Sequence, residues 1–316
     1  MTTAAWVESP LQALNVLEWA HATGEPCNVV LRSGVPSLDP LRARLLPLVT
    51  NSIPHVEMVT AADPFRAGLR SATRWVVGDA FSGHFRLLTV LSTTREAVVV
   101  DDGSATLHLA RVLRHGEAFG RMGQHESTVA RALGLATRAR LVRAASAGRL
   151  ELFTAYDVAE VRGLVDLGVT VTMNRYQWVR SVTPLEPHAV GQHVVIGSAL
   201  AADGYIDADA YERWATTAGG PGATYLPHRR ESAEVLYRLT DAGLNVVRTE
   251  LPAELVLATS PGLRSVISLP SSTAATLAHV LPSAVLHRIE PVPPHWWTDA
   301  ADASMRRALS DTVPRS

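Results

Sequence analysis

The chain of 316 residues is long enough for two domains of ordinary size, each with its own core. With 47% hydrophobic and 19% charged residues it is globular rather than disordered, and a formal net charge of −1 argues against a general nucleic-acid binder. All 29 basic residues other than histidine are arginine, a bias expected of GC-rich coding, so their number says little about phosphate recognition.

Short apolar runs alternate with helical patterns along the whole chain, which predicts an α/β protein with mainly parallel sheets. In the first half, strands are expected near 4–9, 27–32, 55–60, 74–78, 96–101 and 151–155. Helices are expected near 10–22, 38–49, 63–73, 82–93 and 104–115, and the Arg- and Ala-rich stretch 121–149 also reads as helical. The segment 179–192, with Pro184 and Pro187, reads as a linker. Alternation resumes with strands near 193–198, 223–227, 245–249, 265–269 and 284–289. Helices near 207–218, 231–242, 252–259 and 272–281 separate them, and an amphipathic helix near 296–310 closes the chain. The expected domains are 1–180 and 181–316, two doubly wound, Rossmann-like units facing a cleft. Ligands of such sheets sit at the carboxyl ends of the strands.

Cys27 is the one cysteine, which excludes an intrachain disulfide and a multi-cysteine metal site. It opens the run Cys27-Asn28-Val29-Val30-Leu31 and is expected in the core. No basic n-region precedes Trp6 and Val7, and no apolar stretch nears the roughly 18 residues of a membrane span. The expected location is cytoplasmic.

Several strand ends carry polar groups. Asp101-Asp102-Gly103 follows Val98-Val99-Val100 and precedes a helix start at Ser104. One carboxylate there can accept a proton from a hydroxyl while the other orients it or caps the helix; a plain N-cap with a turn glycine is the competing reading. His228 ends Tyr225-Leu226-Pro227, with Arg229 and Arg230 beside it and Glu231 opening the next helix. That placement suits a phosphate, against the alternative of an ordinary surface histidine. Ser271-Ser272-Thr273 begins a helix after the strand ending at Leu269, a phosphate cradle or simply an N-cap. Glu254 can bond a ribose diol or be a solvated helix carboxylate. Ser9 and Gln12 join the first strand to the first helix, and Gly197 and Ser198 occupy the equivalent junction in the second half. The arginines from Arg111 to Arg149 read best as a solvated helix face. The sharper reading is docking to an anionic acceptor or to acidic phospholipid, a peripheral contact with the inner membrane face. Trp296, Trp297, Trp75 and Phe65 read as packing residues rather than sugar platforms. Dinucleotide, P-loop, zincin and nucleophile-elbow motifs are missing.

Taken in order, these motifs resemble the bacterial lipooligosaccharide sialyltransferase and polysialyltransferase families. Those families carry an Asp/Glu-Asp/Glu-Gly motif, a His-Pro motif and a Ser-Ser/Thr motif on a GT-B fold. Asp101-Asp102-Gly103, His228 and Ser271-Ser272 occupy that order here. Ser9-Pro10-Leu11-Gln12 and Pro252-x-Glu254 are also similar, so the resemblance spans about residues 5–290. The chain departs from the pattern at one point: Pro227 precedes His228 and Arg229 follows it, whereas the family has proline after the histidine.

The resemblance implies an inverting, metal-independent transfer of sialic acid or a related nonulosonic acid from its CMP-activated donor to a hydroxyl. No cofactor is implied; CMP-sialic acid or a related CMP-nonulosonate is a substrate. Asp101 is the implied base, with Asp203 and Asp207 open as alternatives. Ser9, Gln12, Asp102 and Gly103 would line the acceptor side. Gly197, Ser198, Arg229, Glu254, Ser271 and Ser272 would hold the nucleotide sugar, with His228 at the phosphate. The acceptor would be a glycan, a lipid-linked sugar or a small molecule. The competing expectations are a GT-B transferase of CMP-Kdo-like or UDP sugars, and a nonenzymatic two-lobed ligand-binding protein.

Overall fold

The computed structural model describes residues 2–65, 67–92, 95–121, 126–182 and 190–301, together with 306 and 309. By its internal packing the chain divides into two compact units, Met1–Val182 and Thr183–Ser316.

The first unit holds strands β1 (Thr3–Val7), β2 (Cys27–Arg32), β3 (Val56–Ala61), β4 (Arg74–Val77), β5 (Glu96–Val100), β6 (Leu150–Thr154) and β7 (Thr170–Met173). Its helices are α1 (Pro10–Thr23), α2 (Leu38–Ser52), α3 (Gly83–Leu91), α4 (Ser104–His115), α5 (Thr128–Ser146), α6 (Ala159–Arg162) and α7 (Gln177–Ser181). The strands form one sheet in the order β3-β2-β1-β4-β5-β6-β7, with every pairing parallel. Trp6 is in register with Val30 on one side and Val77 on the other. Helices cover both faces of such a sheet, which is why β1, β4 and β5 read as near-continuous apolar runs. Cys27 lies in this core, as expected, and burial pushes its thiol up to about 12.

The second unit holds β8 (His193–Ile196), β9 (Thr224–Leu226), β10 (Asn245–Val246), β11 (Ser265–Ser268) and β12 (Leu286–Ile289). Its helices are α8 (Ala199–Ala202), α9 (Ala208–Gly219), α10 (Ala233–Asp241), α11 (Ala253–Ala258) and α12 (Ser272–Val280). Here too the sheet is parallel, in the order β10-β9-β8-β11-β12. Both units are therefore Rossmann-like. In the first, the winding reverses between β1 and β4; in the second, between β8 and β11. Ligand crevices form at such reversals, outside the carboxyl ends of the strands.

Several expected elements differ. Among the described residues of 63–73 there is no α-helix; a 3-10 turn, Leu69–Ser71, stands there, entered through Gly68 at φ 75°. The expected helix 121–149 begins only at Thr128, where the Ser127 hydroxyl accepts the Ala130 N–H; residues 122–125 lie outside the described residues. The expected linker 179–192 starts inside α7, and Pro184 and Pro187 lie outside the described residues. The expected helix 296–310 does not start at 296, because Pro294–Trp296 is a 3-10 turn and Trp297 bridges to Ile206. Beyond residue 301 only residues 306 and 309 of that segment are described. Among the described residues no helix is long and apolar enough to cross a membrane.

Candidate functional site

In the first unit the carboxyl ends of β1, β4 and β5 gather the polar residues singled out in the sequence. Ser9 caps α1, its hydroxyl accepting the Gln12 N–H, and it donates to Asp102 Oδ1 at 3.4 Å. Gln12 is buried and bridges two elements. Its Oε1 accepts the Glu8 N–H at 2.8 Å and its Nε2 donates to Asp102 Oδ2 at 2.9 Å. Ser9 and Gln12 are both donors to this carboxylate, as an ionised aspartate requires. Gly103, at φ 64° and ψ −140°, turns the chain from β5 into α4 through a region that side chains avoid.

The two aspartates have opposite surroundings. Asp102 is half-buried. Asp101 is 1% exposed; its Oδ2 accepts the Ala155 N–H at 2.7 Å, and its Oδ1 has no hydrogen-bond partner among the described residues. Burial raises its carboxyl to about 6, against the opposing pull of the Thr154 hydroxyl, the Ala155 N–H and the Thr106 hydroxyl. Its backbone carbonyl accepts from Asn15, whose own oxygen accepts from Asn174 and Tyr176. Asp101 thus ties β5 to the interior, and the sequence expectation that it meets an acceptor hydroxyl is corrected: the accessible carboxylate is Asp102.

Three contributors to this edge escaped the sequence reading. Gly78 directly follows β4, where a Cβ would lie 2.1 Å from Gln12 Cγ, so glycine lets Gln12 pass to Asp102. Asp79 follows it, ion-paired to Arg121. Burial raises its carboxyl to about 6, with Arg121 opposing and with Asp102 and Glu8 adding to the rise. Glu8 itself pairs with Arg32 at 2.9 Å. The Gly78-Asp79 pair repeats, at the end of β4, the Asp-Gly chemistry found at the end of β5. That recurrence was the available signal.

In the second unit the loop after β9 is held rigidly. The His228 N–H donates to Glu231 Oε2 at 2.6 Å, and the Tyr225 hydroxyl donates to Glu231 Oε1 at 2.5 Å. The Tyr211 hydroxyl lies 2.6 Å from that of Tyr225 and accepts the Ser198 N–H at 2.8 Å. Burial raises the Glu231 carboxyl and both tyrosine hydroxyls above their usual ranges. One network therefore joins the end of β8 to the His228 loop. Glu231, Tyr211 and Tyr225 carry it, a role not expected from their positions in the chain. Gly197 makes the close approach possible, since a Cβ there would lie 2.6 Å from His228 N and 2.4 Å from Glu231 Oε2.

His228 is half-buried. Burial, then Arg230 and Arg229, lower its imidazole to about 4. Its Nδ1 accepts the Arg230 N–H at 3.3 Å, so the neutral ring carries its hydrogen on Nε2, a donor for an anion. Arg229 is exposed beside it.

The remaining expected residues make the following local contacts. Ser198 is buried and caps α8; Ser271 caps α12, its hydroxyl accepting the Ala274 N–H at 3.0 Å, with Ser272 half-buried next to it. Glu254 is 3% exposed and accepts the Thr276 hydroxyl at 2.6 Å, joining α11 to α12. Burial pushes its carboxyl above the usual range. It is not presented to a ribose in this arrangement, which corrects that expectation. Asp207 caps α9, accepting the Ala210 N–H at 2.7 Å, and Asp203 pairs with Arg230 at 2.8 Å. Both alternative bases are thus committed to local structure. Of the tryptophans, Trp75 is buried and donates to the Leu69 carbonyl, and Trp297 packs on the cluster around Leu200 and Ile206. Among the described residues no group of three or more His, Cys, Asp or Glu side chains is arranged to hold a metal ion.

A scan against models of protein families finds no match for the chain, and a search of curated proteins finds none.

Proposed function

We propose that the protein is an inverting glycosyltransferase of the sialyltransferase type, which transfers a nonulosonic acid from its CMP-activated form to a hydroxyl of a glycan, lipid-linked sugar or small molecule. The observation that carries the reading is the division of chemistry between two parallel-sheet edges. One presents a carboxylate held by Ser9 and Gln12, and the other presents an imidazole donor on a braced loop. A GT-B arrangement, in which both edges line one cleft, is part of the proposal.

In this reading Asp102, rather than the buried Asp101, takes the proton from the acceptor hydroxyl. The acceptor oxygen bonds to the anomeric carbon of the donor as the bond from that carbon to the phosphate oxygen breaks. The sugar passes through an oxocarbenium-like state, related to that of glycoside hydrolysis. CMP departs, and its phosphate accepts from His228 Nε2 and from the Ser271–Ser272 helix start, with Arg229 supplying charge. Arrival of the phosphate raises the proton affinity of His228, which burial and its arginine neighbours otherwise keep low.

The test is CMP release from CMP-sialic acid in the presence of an acceptor. General-base catalysis typically contributes a factor of about 10²–10⁴, so Asp102→Asn is expected to lose that much turnover while still binding CMP. His228→Ala is expected to lose both turnover and CMP affinity. A rise in melting temperature with UDP and none with CMP would remove the CMP-sugar reading. Full turnover in Asp102→Asn together with none in Asp101→Asn would return the base role to Asp101.

A further inference from the structure

A cavity of about 320 Å³ lies within the first unit, at the opposite end of the strands from Asp102. Trp75 and Ala97, which line it, are the second residues of β4 and β5, and Arg149 directly precedes β6. The cavity therefore opens at the amino ends of these strands. Its volume falls at the lower end of ligand pockets, roughly 300–1,000 Å³.

The floor is apolar, formed by the buried side chains of Trp75, Phe85 and Leu141. Four arginines line it, Arg95, Arg140, Arg143 and Arg149; Arg95 donates to the Ala72 and Arg70 carbonyls and Arg140 to the Ser92 carbonyl, and none of the described lining residues is acidic. The Nε of Arg95 and that of Arg149 are buried without a hydrogen-bond partner among the described residues. Thr89 and Ser92 line the same cavity, are 9% and 8% exposed, and have hydroxyls that are likewise unpartnered. Helical hydroxyls elsewhere in this chain bond back to the carbonyl four residues earlier, as Thr137 does to Leu133 and Thr240 to Leu236. Thr89 makes no such bond. Four polar atoms without partners thus gather around one arginine-lined cavity, a departure from the usual pairing of buried polar groups.

We infer that this cavity is a binding site for a small phosphate monoester, separate from the proposed transfer site. Phosphate oxygens accept several charge-assisted bonds at once, which suits a cavity lined by Arg143 and Arg149 beside two hydroxyl residues and no counter-acid. The apolar floor would receive the remainder of the ligand. The phosphate has two possible sources. It belongs either to a soluble metabolite or to a lipid headgroup, since Leu91 beside Ser92 and Leu87 one turn earlier are 54% and 39% exposed.

The test uses the full chain, with glycerol 3-phosphate followed by thermal shift and calorimetry, and phosphatidylcholine vesicles containing phosphatidic acid followed by cosedimentation. Arg149→Gln and the exposed Arg143→Ala are expected to weaken binding at least tenfold, while His228→Ala leaves it unchanged. Thr89→Val is expected to melt higher than wild type without anion and to respond less to it, because it removes an unpartnered hydroxyl. Binding of the soluble ester that the arginine variants weaken supports the site with a metabolite as source. Vesicle binding alone, weakened in the same way, supports it with a headgroup as source. Absence of both, or binding indifferent to Arg143→Ala and Arg149→Gln, overturns the inference.

Discussion

Replacing Asp101 by asparagine tests the reading of the aspartate pair through stability rather than turnover. The carboxyl of Asp101 rises from 3.8 to about 6 on folding, chiefly through burial. At about 1.4 kcal/mol per pH unit this displacement corresponds to about 3 kcal/mol. The folded protein holds this proton more tightly than the unfolded chain does. The contribution of the group to stability is therefore fully present below about pH 3.8 and is lost as pH rises through about 6. Near neutral pH the wild type carries a buried charge with one unpartnered oxygen, and asparagine removes the charge while keeping an acceptor for the Ala155 N–H. Asp101→Asn is thus expected to gain about 3 kcal/mol at about pH 8 and less than about 1 kcal/mol at about pH 4. In a unit of this size, that gain raises the melting temperature by roughly 6–12 °C at the higher pH. Differential scanning calorimetry of both proteins across this range measures the difference directly, and other titrating groups cancel in the subtraction. A variant less stable than wild type at pH 8, or a gain that persists undiminished on acidification, would refute the reasoning.

Two further outcomes probe the second unit. Gly197→Ala places a Cβ 2.6 Å from His228 N and 2.9 Å from Pro227 Cα, so backbone must move. Such overpacking costs about 1–3 kcal/mol, read from urea unfolding, and under the proposed function a displaced His228 loop is expected to weaken CMP binding as well. Tyr211→Phe leaves the Ser198 N–H without its acceptor. The expected cost is about 1–3 kcal/mol, and amide exchange at Ser198 should accelerate; unchanged protection there would show that the network does not brace the end of β8.

Much of the fold was legible because buried parallel strands are apolar on both faces. Val98-Val99-Val100 and Val29-Val30-Leu31 announce themselves for that reason. β7 did not, because Thr170-Val171-Thr172-Met173 lies at the sheet edge, partly exposed, and half of it is threonine. Helices α6, α7 and α8, four or five residues each, are too short to show a period. α7 also depends on a distant partner, since the buried Glu18 of α1 accepts the N–H groups of Trp178 and Val179. At the candidate site, Ser9, Gln12, Asp102 and His228 were legible because each stands at a strand-to-helix junction. Gly78, Tyr211 and Glu231 were not, since their importance lies in contacts with residues the sequence does not place beside them.

The alternation of apolar runs and helical patterns by itself determined two parallel α/β units, and with them which loops face the ligand crevice: in a parallel sheet every strand delivers its carboxyl end to the same edge. Only the tertiary structure decided how neighbours within those loops divide their roles. Asp101 and Asp102 are chemically identical and adjacent, but side chains alternate in direction along an extended chain, so one turned to Ala155 while the other met Ser9 and Gln12. Which of the two turned inward depended on the packing of β6 and α1 against the end of β5, a choice written in contacts rather than in the order of residues.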